Sequence, residues 1–466
     1  MTSTKITDLK DYFLQRERLL HEAQVLKYGD LIFTEEERKA NTIFKDLVNK
    51  VNSQIDEDFH LNPLQYRSVV ENSQLYKALY DMPKGVQQHS HNPCSLPSRW
   101  FTKLSTADDV YIDDTNKLGR FDKNPGGNWK LVKDLRDKAA DKDAFDKAFD
   151  DNFHLTLEDF DHLETWPRFE FKIGNRQTIA LKDGVWEQCM LDTLLYAIEE
   201  GYSCLQIRML LNFFEDPNFP DPAKEVEMYR RVLAKAQEKD PNFTLGVIFA
   251  GLRFWDNDKI AKFLDFTFEL TKTNRDIVIG FDLVAEENLR AAIDFAPVFV
   301  KHMKRCQDEG VDCPLILHGG ESLDYGNTNL FDLLLCNVPR MGHAFNLFKH
   351  SYLMPFVRER GICVEVNPIS NLFLKYSIDL RAHPAVGYHN FGVKVSINSD
   401  DIEVFNLHTI WDFFVAAISF QFDLLDLKKT ILNSIETSCL QKNIQDNLLN
   451  DWNSKWDSFV QNLLKN

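Results

Sequence analysis

From residue 82 onward, short β-type runs alternate with helix-type runs, and this alternation limits the fold more than any other property of the chain. Eight β-type runs lie at 84–91, 202–211, 244–252, 277–284, 315–319, 340–345, 362–368 and 393–399. Amphipathic stretches such as 186–200, 223–237, 288–306 and 329–335 lie between most of them. Strands linked through helices run parallel, because a parallel pair needs a long crossover where an antiparallel pair needs only a tight turn. Eight such units predict an α/β fold, a closed (β/α)8 barrel of the TIM type. The 466 residues leave room for additions, and an apolar content of 44% supplies a large core.

Residues 1–80 are expected to form an N-terminal helical extension. Leu9, Phe13, Leu19, Leu20 and Leu26 recur at roughly helical spacing, and Ile43, Phe44, Leu47 and Val51 share one face of a second helix over 35–54. The extension is expected to serve as a collar on the main domain or as a dimerisation arm. The barrel is expected over 81–440, with a polar, turn-rich insertion at about 95–165 after its first strand. Helices over 409–422 and 426–440 should pack outside it, with residues 441–466 as a C-terminal helical tail.

A formal charge of −17 argues against nucleic acid or an anionic membrane as the main partner. No apolar run is long enough to span a bilayer, and the first residues lack an apolar leader core. The eight cysteines form no CxxC pair. Buried free thiols in a cytoplasmic setting are therefore expected.

Chemistry-bearing residues gather at the C-terminal ends of four of these runs. His89-Ser-His91 ends the first, and residues two apart on a strand face the same way. His318 ends the fifth, followed by two glycines that let the backbone turn and bring Glu321 to the same mouth. His343 ends the sixth, and Asp400-Asp401 closes the eighth. Barrel enzymes build their sites at this end of the strands. Three histidine nitrogens and one aspartate oxygen suit Zn²⁺ with a water completing the shell. The fourth run carries Asp282 but no lysine that could bridge two metals, so one zinc per chain is expected. Zinc lowers the pKa of its water toward ~7, a neutral histidine can accept or orient that water's proton, and Glu321 is the candidate acid. Asp401, left over once Asp400 binds metal, could accept a substrate hydrogen bond or orient a neighbouring loop.

Taken together, the stretches 82–91, 280–287, 317–321, 340–343, 365–371 and 399–401 resemble the adenosine deaminase family, and within it the branch of adenosine deaminase-related growth factors. They occur in the family's order. The resemblance implies that His89, His91, His318 and Asp400 bind zinc and that Glu321 protonates purine N1. It implies that His343 deprotonates or orients the water and that Asp401 binds N7. Asp282 and Ala285 are also expected at the substrate. Ala285 stands where the family commonly has glycine, Ile402 follows the aspartate pair in place of a frequent proline, and Asn92-Pro93-Cys94 departs from the usual sugar-contacting segment. The resemblance thus implies zinc-dependent hydrolytic deamination of adenosine and 2'-deoxyadenosine by a chain that binds a purine nucleoside, while a homodimer is the expectation that a dimerisation arm over residues 1–80 would carry. Two other readings are a related aminohydrolase for another 6-aminopurine nucleoside or AMP, and a growth-factor-like binding protein on the same scaffold.

Overall fold

In a computed structural model of the chain, which describes residues 6, 8–162, 165–182, 184–210 and 222–465, eight parallel strands form two four-stranded arcs. They are β1 (Gly85–Gln87), β2 (Tyr202–Leu210), β3 (Thr244–Leu252), β4 (Val278–Val284), β5 (Leu317–Gly319), β6 (Arg340–His343), β7 (Cys363–Val366) and β8 (Lys394–Ile397). One arc runs β1-β2-β3-β4 and the other β5-β6-β7-β8. Parallel bridges join the arcs at both seams, Phe281 with Leu315 and Ser90 with Asp400. Ile316 N–H donates to Phe281 O at 2.8 Å, and Asp400 N–H to His89 O at 3.1 Å. The expected α/β barrel therefore forms. Of the expected segments, residues 1–5, 7, 163, 164, 183, 211–221 and 466 lie outside the described residues.

β3 and β4 are buried on both faces, as strands walled in by helices must be. β1 is shorter than the expected run over 84–91, because past Gln87 side chains take over from the ladder: Gln88 N–H donates to Asn398 Oδ1 at 2.9 Å. The helix expected over 288–306 divides into two short turns, Glu287–Leu289 and Ala292–Phe295, before the helix Ala296–Glu309 starts with Pro297 in its first turn.

The chain's beginning and end interlock beneath the barrel. Helix Glu35–Asn52 opens with a capping box, in which Thr34 accepts from Glu37 N–H and Glu37 accepts from Thr34 N–H. Glu37 is buried, and its Oε1 also accepts from Trp456 Nε1 at 2.8 Å and from Lys428. Trp456 belongs to the last helix, Lys442–Lys465, where it stacks on the fully buried Trp452. By contrast, helix Leu9–Tyr28 buries none of its residues. Leu9, Tyr12, Phe13, Leu14, Leu19, Leu20, Val25 and Leu26 all face solvent.

Between β1 and β2 the chain leaves the barrel for helix Ser98–Ser105, a three-stranded antiparallel sheet (Val110–Ile112, Leu118–Arg120, Lys130–Leu131) and further short helices. The helix Trp166–Ala180, just past the expected bound of about 165, returns across the barrel mouth. Arg176 fixes it there. This fully buried guanidinium donates to Phe153 O, Leu96 O and Glu403 O, each at 2.6 Å. Among the described residues, no helix is long and apolar enough to cross a membrane.

The exposed first helix is held at its C-terminal end by Asp426. That carboxylate accepts from Tyr28 OH at 2.7 Å and from His389 Nε2 at 3.1 Å, and pairs with Lys27 at 2.5 Å. Burial alone would raise its pKa, but the His389 hydrogen bond and the Lys27 charge hold it well below the usual carboxylate range. A group depressed in the folded state stabilises above its unfolded pKa and loses that effect as pH falls. Asp426→Asn should therefore lower unfolding free energy by about 2 kcal/mol at pH 7 in urea titrations, and the difference should shrink below about pH 4. An unchanged urea midpoint at pH 7 would remove Asp426 as an anchor.

Candidate active site

Four imidazoles and three carboxylates meet at the C-terminal mouth. The ring of His89 lies 4.5 Å from that of His318, 4.7 Å from that of His343 and 5.3 Å from that of His91. Gly342 permits this crowding, because a Cβ there would sit 3.1 Å from His318 Cα and 3.2 Å from His89 Cε1. Asp400 Oδ1 lies 3.3 Å from His91 Nε2 and 3.6 Å from His89 Nε2. Donor atoms of His89, His91 and His318 lie within 4.8 Å of one another, as do those of His89, His343 and Asp400.

The tautomers follow from the outer hydrogen bonds. His89 Nδ1–H donates to Glu365 Oε2 at 2.7 Å, and His318 Nδ1–H donates to Asp282 Oδ2 at 2.7 Å. Each ring therefore turns an Nε2 lone pair toward the centre. Burial first, then the positive Arg208 and the neighbouring imidazoles, push the His89 pKa well below its usual value, so that lone pair is free. The reverse holds at His343. Ala385 N–H donates to His383 Nδ1 at 3.1 Å, which leaves the His383 proton on Nε2, donated to Asn371 Oδ1 at 3.0 Å. Asn371 consequently presents its Nδ2 to His343 Nδ1 at 3.4 Å, joined by Asn367 Nδ2 at 3.2 Å. An accepting Nδ1 leaves the proton of neutral His343 on Nε2, 3.6 Å from both Glu321 Oε1 and Asp400 Oδ2.

A buried ion network supports these rings. Arg208 Nε donates to Asp282 Oδ2 and its NH2 group to Glu365 Oε2, both at 2.6 Å, while Arg340 Nε donates to Glu365 Oε1 at 2.6 Å. All four side chains are fully buried. Asp282, expected at the substrate, lies outside the cavity lining, because its two oxygens are taken by Arg208, His318 and the Leu283 and His318 N–H groups. Sequence reading also missed Arg208, Glu365 and Ser370, whose Oγ donates to Asp400 Oδ2 at 2.8 Å. The available signals were an arginine in the apolar stretch 202–210 and the Glu365–Asn371 motif.

The network balances two cations with two anions, but Asp400 and Asp401 make no ion pair with lysine or arginine among the described residues. Burial, then Asp401, drives the Asp400 pKa well up, and burial raises that of Asp401. Asp401 Oδ1 is buried without a hydrogen-bond partner. Neutral imidazole lone pairs beside uncompensated carboxylates are the donor set a divalent cation satisfies. Glu321 is raised well above the usual range, by burial and then by Asp400 and Glu287. Ala285, His343 and Asp400 hold left-handed φ values of 84°, 59° and 53°, conformations that cost a non-glycine residue about 1–3 kcal/mol.

A cavity of about 350 Å³ opens above the cluster. His91, His318, Glu321, His343, Asp400, Asp401 and Ala285 line it, with Asn92 and Cys94 beside them. Trp166, Phe169, Glu170, Ile173 and Gln177 form its roof, at the spacing of one helix face. A larger groove of about 1240 Å³, near Pro83 and Gly201 at the opposite end of β1 and β2, carries none of these residues.

Barrel and cluster together make an α/β barrel with a candidate metal-ligand set at the C-terminal mouth of its strands. Residues 225–454 match the family model of adenosine deaminase. Adenosine deaminase 2 of Dictyostelium discoideum is 28% identical over 98% of this chain and 88% of its own length. Adenosine deaminase 2 of Homo sapiens is 26% identical over 85% of this chain and 82% of its own. Among solved structures, a zinc-bound amidohydrolase of Burkhoderia ambifaria superposes with a TM-score of 0.59 at 17% identity, over 84% of this chain and 95% of that one. The Arabidopsis N6-mAMP deaminase gives a TM-score of 0.60 at 14% identity, over 81% and 99%. Residues 225–454 thus carry the adenosine deaminase domain, and the chain is a deaminase hydrolase.

Glu365→Gln would keep the shape of the Arg208–Glu365–Arg340 network but loosen its hold on the His89 proton. Divalent-metal affinity, measured by equilibrium dialysis, is expected to fall about 10–100-fold. Wild-type affinity in this variant would show that the network does not set the donor geometry.

Proposed function

We propose that this chain hydrolyses adenosine and 2'-deoxyadenosine to the corresponding inosines and ammonia, with one zinc ion held by His89, His91, His318 and Asp400. The observation that carries the reading is the convergence of imidazole Nε2 atoms and the Asp400 carboxylate beside a buried, readily protonated Glu321. Zinc binding in the Burkhoderia structure and the names of the curated relatives support it. Zinc, when bound, lowers the pKa of a coordinated water toward ~7 and so supplies a nucleophile at neutral pH.

The chain's own residues do the rest. Glu321 donates its proton to N1 of the purine, which makes C6 electrophilic. His343, with its proton on Nε2, orients the attacking oxygen by donating a hydrogen bond; of the two roles open to it, orientation fits its tautomer. As the tetrahedral carbon collapses, the Glu321 carboxylate passes the new hydroxyl's proton to the amino group, the C6–N bond breaks and ammonia departs. The proton released when the water ionised restores Glu321. Asp401 accepts a hydrogen bond from the base through its unpartnered Oδ1. Asp282 acts behind His318, holding its tautomer. Ala285 borders the base with its backbone N–H.

The cavity favours a neutral nucleoside over a nucleotide. Among the described residues, Arg208 is the only lysine or arginine in its lining, and its guanidinium is already shared among Asp282, Glu365 and Gln88 O. Glu170, Asp400 and Asp401 would repel a phosphate. Eight unpaired cysteines support a reducing, cytoplasmic setting.

Ammonia release across adenosine, 2'-deoxyadenosine, AMP and methylthioadenosine tests the reading. The two nucleosides should lead in kcat/KM. Comparable turnover of AMP would replace it with a nucleotide enzyme, and no turnover of any substrate by metal-loaded protein would leave a binding protein. Glu321→Gln should retain metal and lower kcat by about 10²–10⁴.

We also propose that the N-terminal extension, residues 1–80, is a dimerisation arm, since helix Leu9–Tyr28 leaves its apolar side chains in solvent. The full chain should sediment as a dimer and a chain beginning at residue 31 as a monomer. A dimer that survives the truncation overturns this assignment.

A further inference from the structure

Glu287 lies in the turn after β4, buried, with no lysine or arginine paired to it among the described residues. Its two oxygens accept four hydrogen bonds. Oε1 receives Gly320 N–H at 2.6 Å and Asn329 Nδ2 at 2.7 Å. Oε2 receives Ser322 N–H at 2.9 Å and Asn327 Nδ2 at 2.6 Å. Gly320 and Ser322 are the residues on either side of Glu321. Their carbonyls are held as well, Gly320 O by Asn346 N–H at 2.7 Å and Ser322 O by Asn346 Nδ2 at 3.0 Å. Gly320 adopts φ +69°, and a Cβ there would lie 2.5 Å from Asn346 Oδ1, so another residue would be strained at this backbone angle and would displace the Asn346 side chain.

Four N–H donors aimed at one carboxyl select its ionised form, which accepts and does not donate. We propose that Glu287 is the positioning residue of the acid: a buried anion that clamps the backbone on both sides of Glu321 and keeps its carboxyl aimed into the cavity. This inference rests on the acid role assigned to Glu321 above. The clamp carries a second effect. After burial and Asp400, the Glu287 charge opposes ionisation of Glu321, reinforced by Asp401 and countered by Arg253; His343 and Tyr376 also face this carboxyl. One buried charge therefore holds the acid in place and favours its protonated state.

Two variants of the metal-loaded enzyme separate the effects. Glu287→Gln keeps the length but loses the charge, and turns an NH2 group toward two donors. Its kcat for adenosine should fall at least about 30-fold at unchanged metal content, in the range general-acid catalysis supplies. The alkaline limb of its kcat–pH profile should move to lower pH, because Glu321 then loses its proton more easily. Glu287→Asp keeps the charge but shortens the reach, so kcat should fall with the alkaline limb in place. A wild-type kcat, or an unmoved alkaline limb, in Glu287→Gln would overturn the inference. Hydrogen–deuterium exchange on the wild-type chain serves whether or not the variants fold. The Gly320 and Ser322 amides should be protected with and without zinc, and fast exchange at either overturns the clamp. Wild-type protein that releases no ammonia would sink the deaminase reading while leaving the exchange result intact. An active wild type matched by Glu287→Gln would sink the clamp alone.

Discussion

The Arg208 guanidinium is the contact on which the site depends. It stands inside the barrel, bonded to Asp282 on β4 and to Glu365 on β7, and each carboxylate passes the constraint to a histidine. A buried arginine without partners would cost several kcal/mol, so the two carboxylates must stay ionised and in place. Because they stay, His89 and His318 have no choice of tautomer. The order of dependence runs from an ion pair in the core to lone pairs at the mouth.

Above the network the backbone is strained where the chemistry sits. Ala285, His343 and Asp400 hold left-handed φ values, and each lines the cavity. A regular strand would place successive side chains on alternate faces; these departures aim the side chains of His343 and Asp400 inward instead. The surrounding order resists relaxation: Asn371 and Asn367 hold His343, Ser370 holds Asp400, and Arg176 ties the roof helix to the loop after β8. The strain persists because the strands beneath it are fixed by packing that does not depend on it.

Much of this was legible in the sequence, for local reasons. β3 and β4 are buried on both faces and so read as apolar runs. His89, His318, His343 and Asp400 each close a run, which sets them at one mouth once the barrel is accepted. What was hidden is non-local. Arg208 meets partners 74 and 157 residues away, and nothing near it in the chain announces them. Asp282 was expected at the substrate from the resemblance, and the bond that sets it behind His318 is again non-local, joining residues 36 apart. The roof helix Trp166–Ala180 was also missed as a site element. Its face of Trp166, Phe169 and Ile173 reads as ordinary core, and only the barrel shows that this face covers a cavity.

The seam between β1 and β8 has a consequence for how the molecule is completed. Ser90 bridges Asp400 there, with His89 and His91 on one flank and the last carboxylates on the other. The nascent chain holds the two histidines long before residue 400 is made, so no partial chain has the full donor set. A cation that settles between His89, His91 and Asp400 fastens the first strand to the last, and its binding energy adds to the cohesion of the closed ring. Metal uptake at that seam would therefore be coupled to closure of the ring.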